Sequence, residues 1–252
     1  MNSAGGQFLS IANAATVLQM LLYPDRPGSL LTHFSMDRSM QPVHDFEEDN
    51  WTQVGHIWKI VKARDSHGRA RKIYWKLSNV GGYHTVMAIY PGTSYGVALL
   101  MAGRYSDAAE LAYEIFGSFQ RAIDAALAEK ARALYAGRWE SEDKESSAEI
   151  TIENGMLFIE NLRLNGTKVL PLFGAAVKVA LRPTERRDEL RLDIGIPAVN
   201  GKPHYGCMTY WNVQDDWGLR NGVPINLLYF TGEKDSRQLH YPSVDVVMRL
   251  TA

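Results

Sequence analysis

Lys76-Leu77-Ser78-Asn79-Val80-Gly81-Gly82-Tyr83-His84 is the stretch from which the fold of this chain is read. Lys72 to Lys76 forms a strand with a lysine at its end, and the chain then enters a Gly-Gly turn. A second strand runs from His84 to Tyr90, and a third from Tyr95 to Ala102 after the Pro91-Gly92 turn. Just upstream, Ile57 to Ala63 reads as a further strand. Asp65-Ser66-His67-Gly68 between it and Lys72 has the chemistry of a hairpin turn. The stretch therefore predicts a four-stranded antiparallel set.

On either side the period becomes helical. Leu9, Ala12, Ala15, Val17, Leu18, Leu21 and Leu22 recur at helical spacing, with Ser10 or Asn13 as cap and Pro24 as stop. Ser29 to Met40 reads as a second, short helix. Asp107 and Glu110 fit a capping box, and Leu111, Ile115, Phe119, Ile123 and Leu127 follow at steps of four, predicting a long helix over 107–134.

From Trp139 onward the chain becomes short strands and turns. Asn154-Gly155 between Ala148–Glu153 and Met156–Glu160 is a strong hairpin signal. Further strands are read at Thr167–Leu172, Ala176–Leu181, Glu189–Ile194, Gly206–Asn212, Asn226–Thr231 and Val244–Leu250. About eight such strands suit an up-and-down barrel or a sandwich. The fold class expected is thus α+β, with an α+β unit over residues 1–134 and an all-β unit over 135–252.

A net charge of −1 provides no global field for nucleic acid or an anionic membrane. One cysteine, Cys207, excludes an intramolecular disulfide framework. The start, Met1-Asn-Ser-Ala-Gly-Gly-Gln, lacks the basic and apolar regions of a signal peptide, and no apolar run is long enough to span a bilayer. These readings lead us to expect a soluble protein. The seven histidines lack ligand spacing, no glycine loop cradles phosphate, and neither metal nor cofactor is expected.

Two local patterns compete for function. Gly92-Thr93-Ser94-Tyr95-Gly96 spells a nucleophile elbow, which requires a strand before Ser94 and a helix after it. Val97 to Ala102 reads as strand, which favours a plain hairpin turn over an esterase using Ser94. Lys59, Lys62, Arg64, Arg69, Arg71, Lys72 and Lys76 form a basic cluster opposed only by Asp65. It suits a solvated edge hairpin, with a funnel for anionic substrates as the sharper alternative. Trp211, Trp217, Tyr229, Phe230 and Tyr241 are read as filling or rimming the barrel, whose mouth could hold one small ligand.

The order helix, strands, lysine strand, hairpin, long helix resembles the C-terminal portion of the catalytic domain in class C serine β-lactamase and penicillin-binding-protein-like proteins. Ser3-Ala-Gly-Gly-Gln-Phe-Leu-Ser-Ile-Ala-Asn13 and Tyr74-Trp-Lys76 through His84 are similar to runs in fungal members. Tyr135-Ala-Gly-Arg-Trp139 resembles the opening of the lipocalin-like barrel that often follows. The resemblance implies three catalytic elements: a Ser-x-x-Lys helix start, a Tyr-x-Asn loop and a Lys-Ser/Thr-Gly strand. Only the third aligns here. Lys76 takes the lysine position, Leu77 replaces the hydroxyl residue and Ser78 the glycine. Asn79 would then carry the oxyanion amide, with Tyr83 and His84 near the mouth.

The other two elements have only imitators. Ser141-Glu-Asp-Lys144 is in an acidic loop beyond the lysine strand, and Tyr210-Trp-Asn212 is in a barrel segment. The resemblance therefore implies a hydrolase or acyl-transfer relative that is inactive alone, with Lys76 and Ser78 as catalytic candidates and Asn79, Tyr83 and His84 as substrate-binding ones. If active, it would take a small acyl, ester or amide substrate. The alternative is a non-catalytic interaction module. Either reading leads to the expectation of a homo-oligomer or a complementing partner chain.

Overall fold

The computed structural model describes residues 9–173, 178–184, 186–193, 218–233 and 236–251. The chain divides into two compact units, 1–125 and 126–252. In the first, α1 (Ile11–Leu22) starts where Ser10 Oγ accepts the Asn13 N–H at 3.2 Å. Thr32 Oγ1 likewise accepts the Ser35 N–H at 3.1 Å to open α2 (His33–Ser39). Both are N-caps that satisfy a donor left over at a helix start.

Six antiparallel strands follow in chain order: β1 (Pro42–Asp45), β2 (Thr52–Gly55), β3 (Lys59–Arg64), β4 (Ala70–Val80), β5 (Tyr83–Tyr90) and β6 (Tyr95–Ala102). The last four are the set expected. β1 and β2 are additional, because four residues around the acidic run Asp45-Phe46-Glu47-Glu48-Asp49 leave too little alternation to read. Asp49 Oδ1 steers the chain into β2 by accepting the N–H groups of Trp51 at 2.7 Å and Thr52 at 2.5 Å.

Side chains alternate along each strand, so the sheet has two distinct faces. One carries Ile73, Val86, Ala88 and Tyr90 and packs against Ala108, Ala112 and Phe116 of α3 (Ala108–Tyr135). The other carries Ile60, Tyr74 and Ile89, and Leu18 of α1 packs on it. Gly96 permits that approach: a Cβ there would meet the Ala88 carbonyl oxygen at 2.9 Å and Leu18 Cδ2 at 3.0 Å.

The buried stripe of α3 differs from the one its leucines and isoleucines predict. Ala108, Ala112, Phe116, Gln120 and Asp124 face inward, whereas Phe119 and Leu127 are exposed. Hydrogen bonds explain the offset. Tyr95 Oη donates to Gln120 Oε1 at 3.0 Å, and the Ser66 hydroxyl and N–H donate to Asp124 Oδ2 at 2.5 and 3.0 Å. Polar anchors therefore set the rotation of the helix, with small residues beneath them. The capping box is half formed. The Glu110 N–H donates to Asp107 Oδ1 at 2.9 Å, while the Glu110 carboxylate accepts from Tyr105 Oη at 2.7 Å.

The second unit is a closed barrel. Its strands are β7 (Gly137–Glu140), β8 (Ser147–Glu153), β9 (Met156–Leu164), β10 (Thr167–Lys168), β11 (Lys178–Pro183), β12 (Glu189–Leu192), β13 (Leu219–Arg220), β14 (Val223–Pro224), β15 (Leu227–Thr231), β16 (Gln238–Tyr241) and β17 (Val246–Leu250). Eight of them close in the order β9-β11-β12-β15-β16-β17-β7-β8 and back to β9, every pair antiparallel. β10 is a two-residue addition to β9, and β13 pairs with β14 as a small separate ribbon.

The α+β expectation therefore holds, and the choice between barrel and sandwich resolves as a barrel. Thr167–Leu172 is corrected to two strand residues followed by a 3₁₀ turn, since Pro171 has no N–H to give a ladder. The expected strand Gly206–Asn212, with Trp211, Trp217 and Cys207, lies outside the described residues.

Trp139, Ile150, Ile159, Leu192, Leu228, Leu239, Tyr241 and Met248 fill the barrel interior. Phe230 and Tyr241 are among the buried core residues, while Tyr229 lies half-exposed and stacks on His240 with ring centroids 4.7 Å apart. Among the described residues no helix is long and apolar enough to cross a membrane.

Candidate functional site

The site is the C-terminal half of β4, where the sheet runs out of partners. Val80 faces Tyr83 across a two-residue turn in which Gly81 has φ 59°, a backbone state favouring glycine. Pairing then runs back through Asn79↔His84, Ser78↔Thr85, Leu77↔Val86 and Lys76↔Met87. On the other side β3 accompanies β4 only from Arg64↔Ala70 to Lys59↔Trp75.

The backbone phase follows from three hydrogen bonds. The Gly103 N–H donates to the Gly82 oxygen at 2.9 Å, which turns the even-numbered residues of β5 toward β6 and the odd-numbered ones toward β4. Lys76, Ser78 and Val80 therefore bond to β5, and Trp75, Leu77 and Asn79 turn their N–H and C=O groups the other way. The Lys62 N–H bond to the Trp51 oxygen at 2.8 Å and the Asp65 N–H bond to the Arg69 oxygen at 3.0 Å give the same phase from the opposite edge. Leu77 and Asn79 thus present their backbone groups to an edge that, among the described residues, no strand occupies.

Side chains separate the five predicted residues into two groups. Lys76, Ser78 and Tyr83 share the face that α1 partly covers, together with Thr85 and Leu100. Asn79 and His84 project from the opposite face, the α3 side. There His84 is buried, and its Nδ1 lies 3.0 Å from Asn79 Oδ1. An amide oxygen only accepts, so the imidazole donates. The sequence expectation put the Asn79 backbone amide at the site, with Tyr83 and His84 near its mouth; strand alternation places the Asn79 and His84 side chains on the α3 face and Tyr83 on the other. What Asn79 offers at the edge is its backbone amide.

Lys76 is exposed, and its ammonium group has no hydrogen bond or ion pair among the described residues. Beside it Val80 and Tyr83 are each 69 % exposed and Leu100 46 %, forming an apolar apron on the same face. A cation and two residues' backbone groups, all unpaired among the described residues, can together with an apolar surface hold an extended chain or an anionic group.

The serines that imitate nucleophiles have other engagements. Ser94 occupies the left-handed region (φ 55°, ψ 46°) at the end of a 3₁₀ turn, and strand β6 follows it directly, so the strand-turn-helix of an elbow is absent there. Ser141 donates to Asp143 Oδ1 at 2.6 Å, and that bond is the main reason the Asp143 carboxyl lies below its ordinary value. The same hydroxyl also bonds to the Ser146 carbonyl at 3.1 Å, and Lys144 is at the left-handed φ of 60° in the same tight loop. Tyr210-Trp-Asn212 falls outside the described residues. Among the described residues no cluster of metal-ligating side chains occurs.

No protein-family model matches the chain. The beta-lactamase-like protein str6 of Strobilurus tenacellus is 36% identical to it over 261 residues, covering 98% of this chain and 82% of str6. Among solved structures, the octameric penicillin-binding protein homologue from Pyrococcus abyssi aligns at 13% identity with a TM-score of 0.36. That alignment covers 95% of this chain but 46% of the homologue, so the chain spans less than half of that protein, and a likeness this low carries no structural argument. At the identity and coverage it shares with str6, the chain belongs to the beta-lactamase-like protein family.

Proposed function

We propose that this chain is the C-terminal portion of a class C, fungal-type serine β-lactamase-related hydrolase or acyl-transfer protein, and that it does not acylate alone. In this reading residues 1–134 are a partial catalytic domain and residues 135–252 a lipocalin-like barrel. The supporting observation is the β4 edge: among the described residues Lys76 is unpaired, and the Asn79 N–H faces an edge that no strand occupies. Lys76 would attract an anionic group on a small acyl, ester or amide substrate. The Asn79 amide would supply one donor for the developing oxyanion. Ser78, whose hydroxyl stands on the Lys76 face, would contact the substrate, and Tyr83 would rim the site. The chain's one Ser-x-x-Lys, Ser141 to Lys144, is in the barrel unit, where its hydroxyl donates to Asp143. Among the described residues no Ser-x-x-Lys pair therefore belongs to the edge.

Intact-mass measurement after treatment with a serine-directed fluorophosphonate tests this. The expected result is no stoichiometric adduct. An adduct mapped to Ser94 would replace the proposal with an esterase of the elbow type, and one on Ser78 or Ser141 with a rewired acyl-transfer site.

The apolar apron favours a second reading, a non-catalytic module that associates through this face. Exposed patches of this kind mark association surfaces. The occupant would be a second copy or a complementing chain. Sedimentation velocity over a concentration series should show a rising mean size, and Tyr83→Glu should abolish the rise. A monomer at every concentration would remove the self-association form of this reading.

A further inference from the structure

β6 ends the sheet of the first unit, and among the described residues nothing pairs with it on the side away from β5. The Gly103 N–H bond to the Gly82 oxygen makes His84↔Met101, Val86↔Leu99 and Ala88↔Val97 the hydrogen-bonded pairs. The even-numbered residues Gly96, Ala98, Leu100 and Ala102 therefore turn their backbone groups outward. No residue of β6 is buried, although helices pack on both faces of the sheet, whereas β5 beside it is mostly buried.

The two edges of the sheet are built differently. Monomeric proteins blunt an edge with charge, proline or a bulge. β1, at the far edge, has all three: Asp45, Pro42 and a break in register between Pro42 and His44. β6, Tyr-Gly-Val-Ala-Leu-Leu-Met-Ala, has none of them.

α3 adds an independent observation on the same side. Tyr113 packs edge-on against Trp75 of β4 with ring centroids 5.1 Å apart, and Phe116 lies over Tyr95 of β6 at 5.2 Å. At about 100° per residue, Leu111, Ile115 and Phe119 project from the side of the helix opposite Tyr113, beyond β6. Phe119 is 58 % exposed, and Leu111 and Ile115 are half-buried. Ala122 lies on the same flank, which has no charged residue. The stripe that the sequence marks as core is thus left without a partner beside an open strand.

We propose that β6 pairs antiparallel with β6 of a second copy, so that two sheets become one. The strand suits a two-fold axis at Leu99. Ala98 then bonds to Leu100 of the second copy and Gly96 to Ala102, so that all four outward-facing residues pair reciprocally. No like charges meet, because the strand has none. The axis is perpendicular to the sheet, which keeps both α3 helices on one face and turns their uncharged flanks toward each other across the seam. On the other face, the two places where Leu18 packs on Gly96 are about 20 Å apart, six residues at the usual rise, which staggers the two α1 helices. The seam shares only Leu100 with the apron beside Lys76, and it stands whether or not the chain takes part in acyl transfer.

Sedimentation velocity of the full chain over a concentration series should show a monomer–dimer equilibrium. Phe119→Glu and Leu100→Lys, both at exposed positions, should each weaken it about a hundredfold or more, because every dimer carries the change twice. Far-ultraviolet dichroism should stay that of the parent, and Tyr83→Glu should leave the dimer intact. Register is read by cross-linking in a Cys207→Ser background, since Cys207 is the one native cysteine. Leu99→Cys should form an intermolecular disulfide on mild oxidation, because residues opposite each other in a non-hydrogen-bonded pair have Cα atoms about 4.5 Å apart. Val97→Cys, two residues along the same face, should not. A monomer at every concentration overturns the proposal and gives the edge to a strand of a different chain. A dimer that Tyr83→Glu abolishes while Phe119→Glu and Leu100→Lys leave it intact overturns it in favour of the apron. It is equally overturned if Leu99→Cys cross-links no better than Val97→Cys.

Discussion

Replacing Asp65 by alanine should destabilise the first unit by about 3–5 kcal/mol, the range for removing one partner from a buried ion pair. The fall should appear as a lower urea midpoint with little change in slope. The side chain is fully buried and takes four hydrogen bonds, two from guanidinium groups and two from the turn's own N–H groups. Alanine would leave the Arg69 and Arg71 guanidinium groups facing each other with no counter-charge. It would also remove the acceptor that shapes the turn between β3 and β4. That turn positions Ser66, whose hydroxyl and N–H bond to Asp124 on α3, so the loss would spread to the helix.

A pH dependence accompanies this. Burial alone would raise the Asp65 carboxyl, but the Arg69 backbone N–H and the two guanidinium groups outweigh it and bring the pKa to about 2 from 3.8. A depressed folded-state pKa contributes stability above the unfolded value that is lost as pH falls through the folded one. Asp65 should therefore contribute about 2 kcal/mol above pH ~4 that disappears toward pH ~2. Asp65→Asn keeps the shape and one acceptor. Its stability should lack this part of the acid limb, which compares directly with the parent in urea titrations across that window.

Strand identity was legible for a physical reason: β3 to β6 alternate, and their turns carry residues with the right backbone freedom. The rotation of α3 was not. Gln120 and Asp124 look like surface residues in sequence, and only their bonds to Tyr95 and Ser66 turn them inward. At the candidate site, Lys76 and Ser78 could be placed on one face by alternation, and the same rule could have put the Asn79 and His84 side chains on the other. Which backbone amides face the empty edge could not be read. That depends on the phase of the ladder, set by the Gly81-Gly82 turn and by β3 stopping at Lys59. The basic cluster was visible as composition, but its partition was hidden. Arg69 and Arg71 share a buried carboxylate four to six residues away, while Lys72 and Lys76 have no partner among the described residues.

Arg237 carries the second large effect. It is buried in the barrel unit, with one terminal nitrogen bonded to Asp188 Oδ1 and the other donating to the Gly232 oxygen at 3.2 Å. Its guanidinium lies over the rings of Tyr135 at 4.8 Å and Phe230 at 5.3 Å. Tyr135 Oη donates to the same Asp188 oxygen at 2.6 Å, and Trp139 Nε1 donates to the Tyr135 carbonyl at 2.9 Å. Arg237 therefore ties the end of α3 to the strands that close the barrel. Arg237→Ala should cost about 3–5 kcal/mol, because it strands the Asp188 carboxylate beside a tyrosine and opens a void under two rings. Arg237→Met refills the void but leaves Asp188 with only the Tyr135 hydroxyl and the exposed Arg187 at 3.8 Å, so it should recover only the packing part. Adding Asp188→Asn to Arg237→Met removes the stranded charge and should restore stability relative to Arg237→Met alone. The double-mutant cycle, read by thermal melting and near-ultraviolet dichroism, separates charge from packing. Full recovery by Arg237→Met without Asp188→Asn would mean that the guanidinium acts there only as volume.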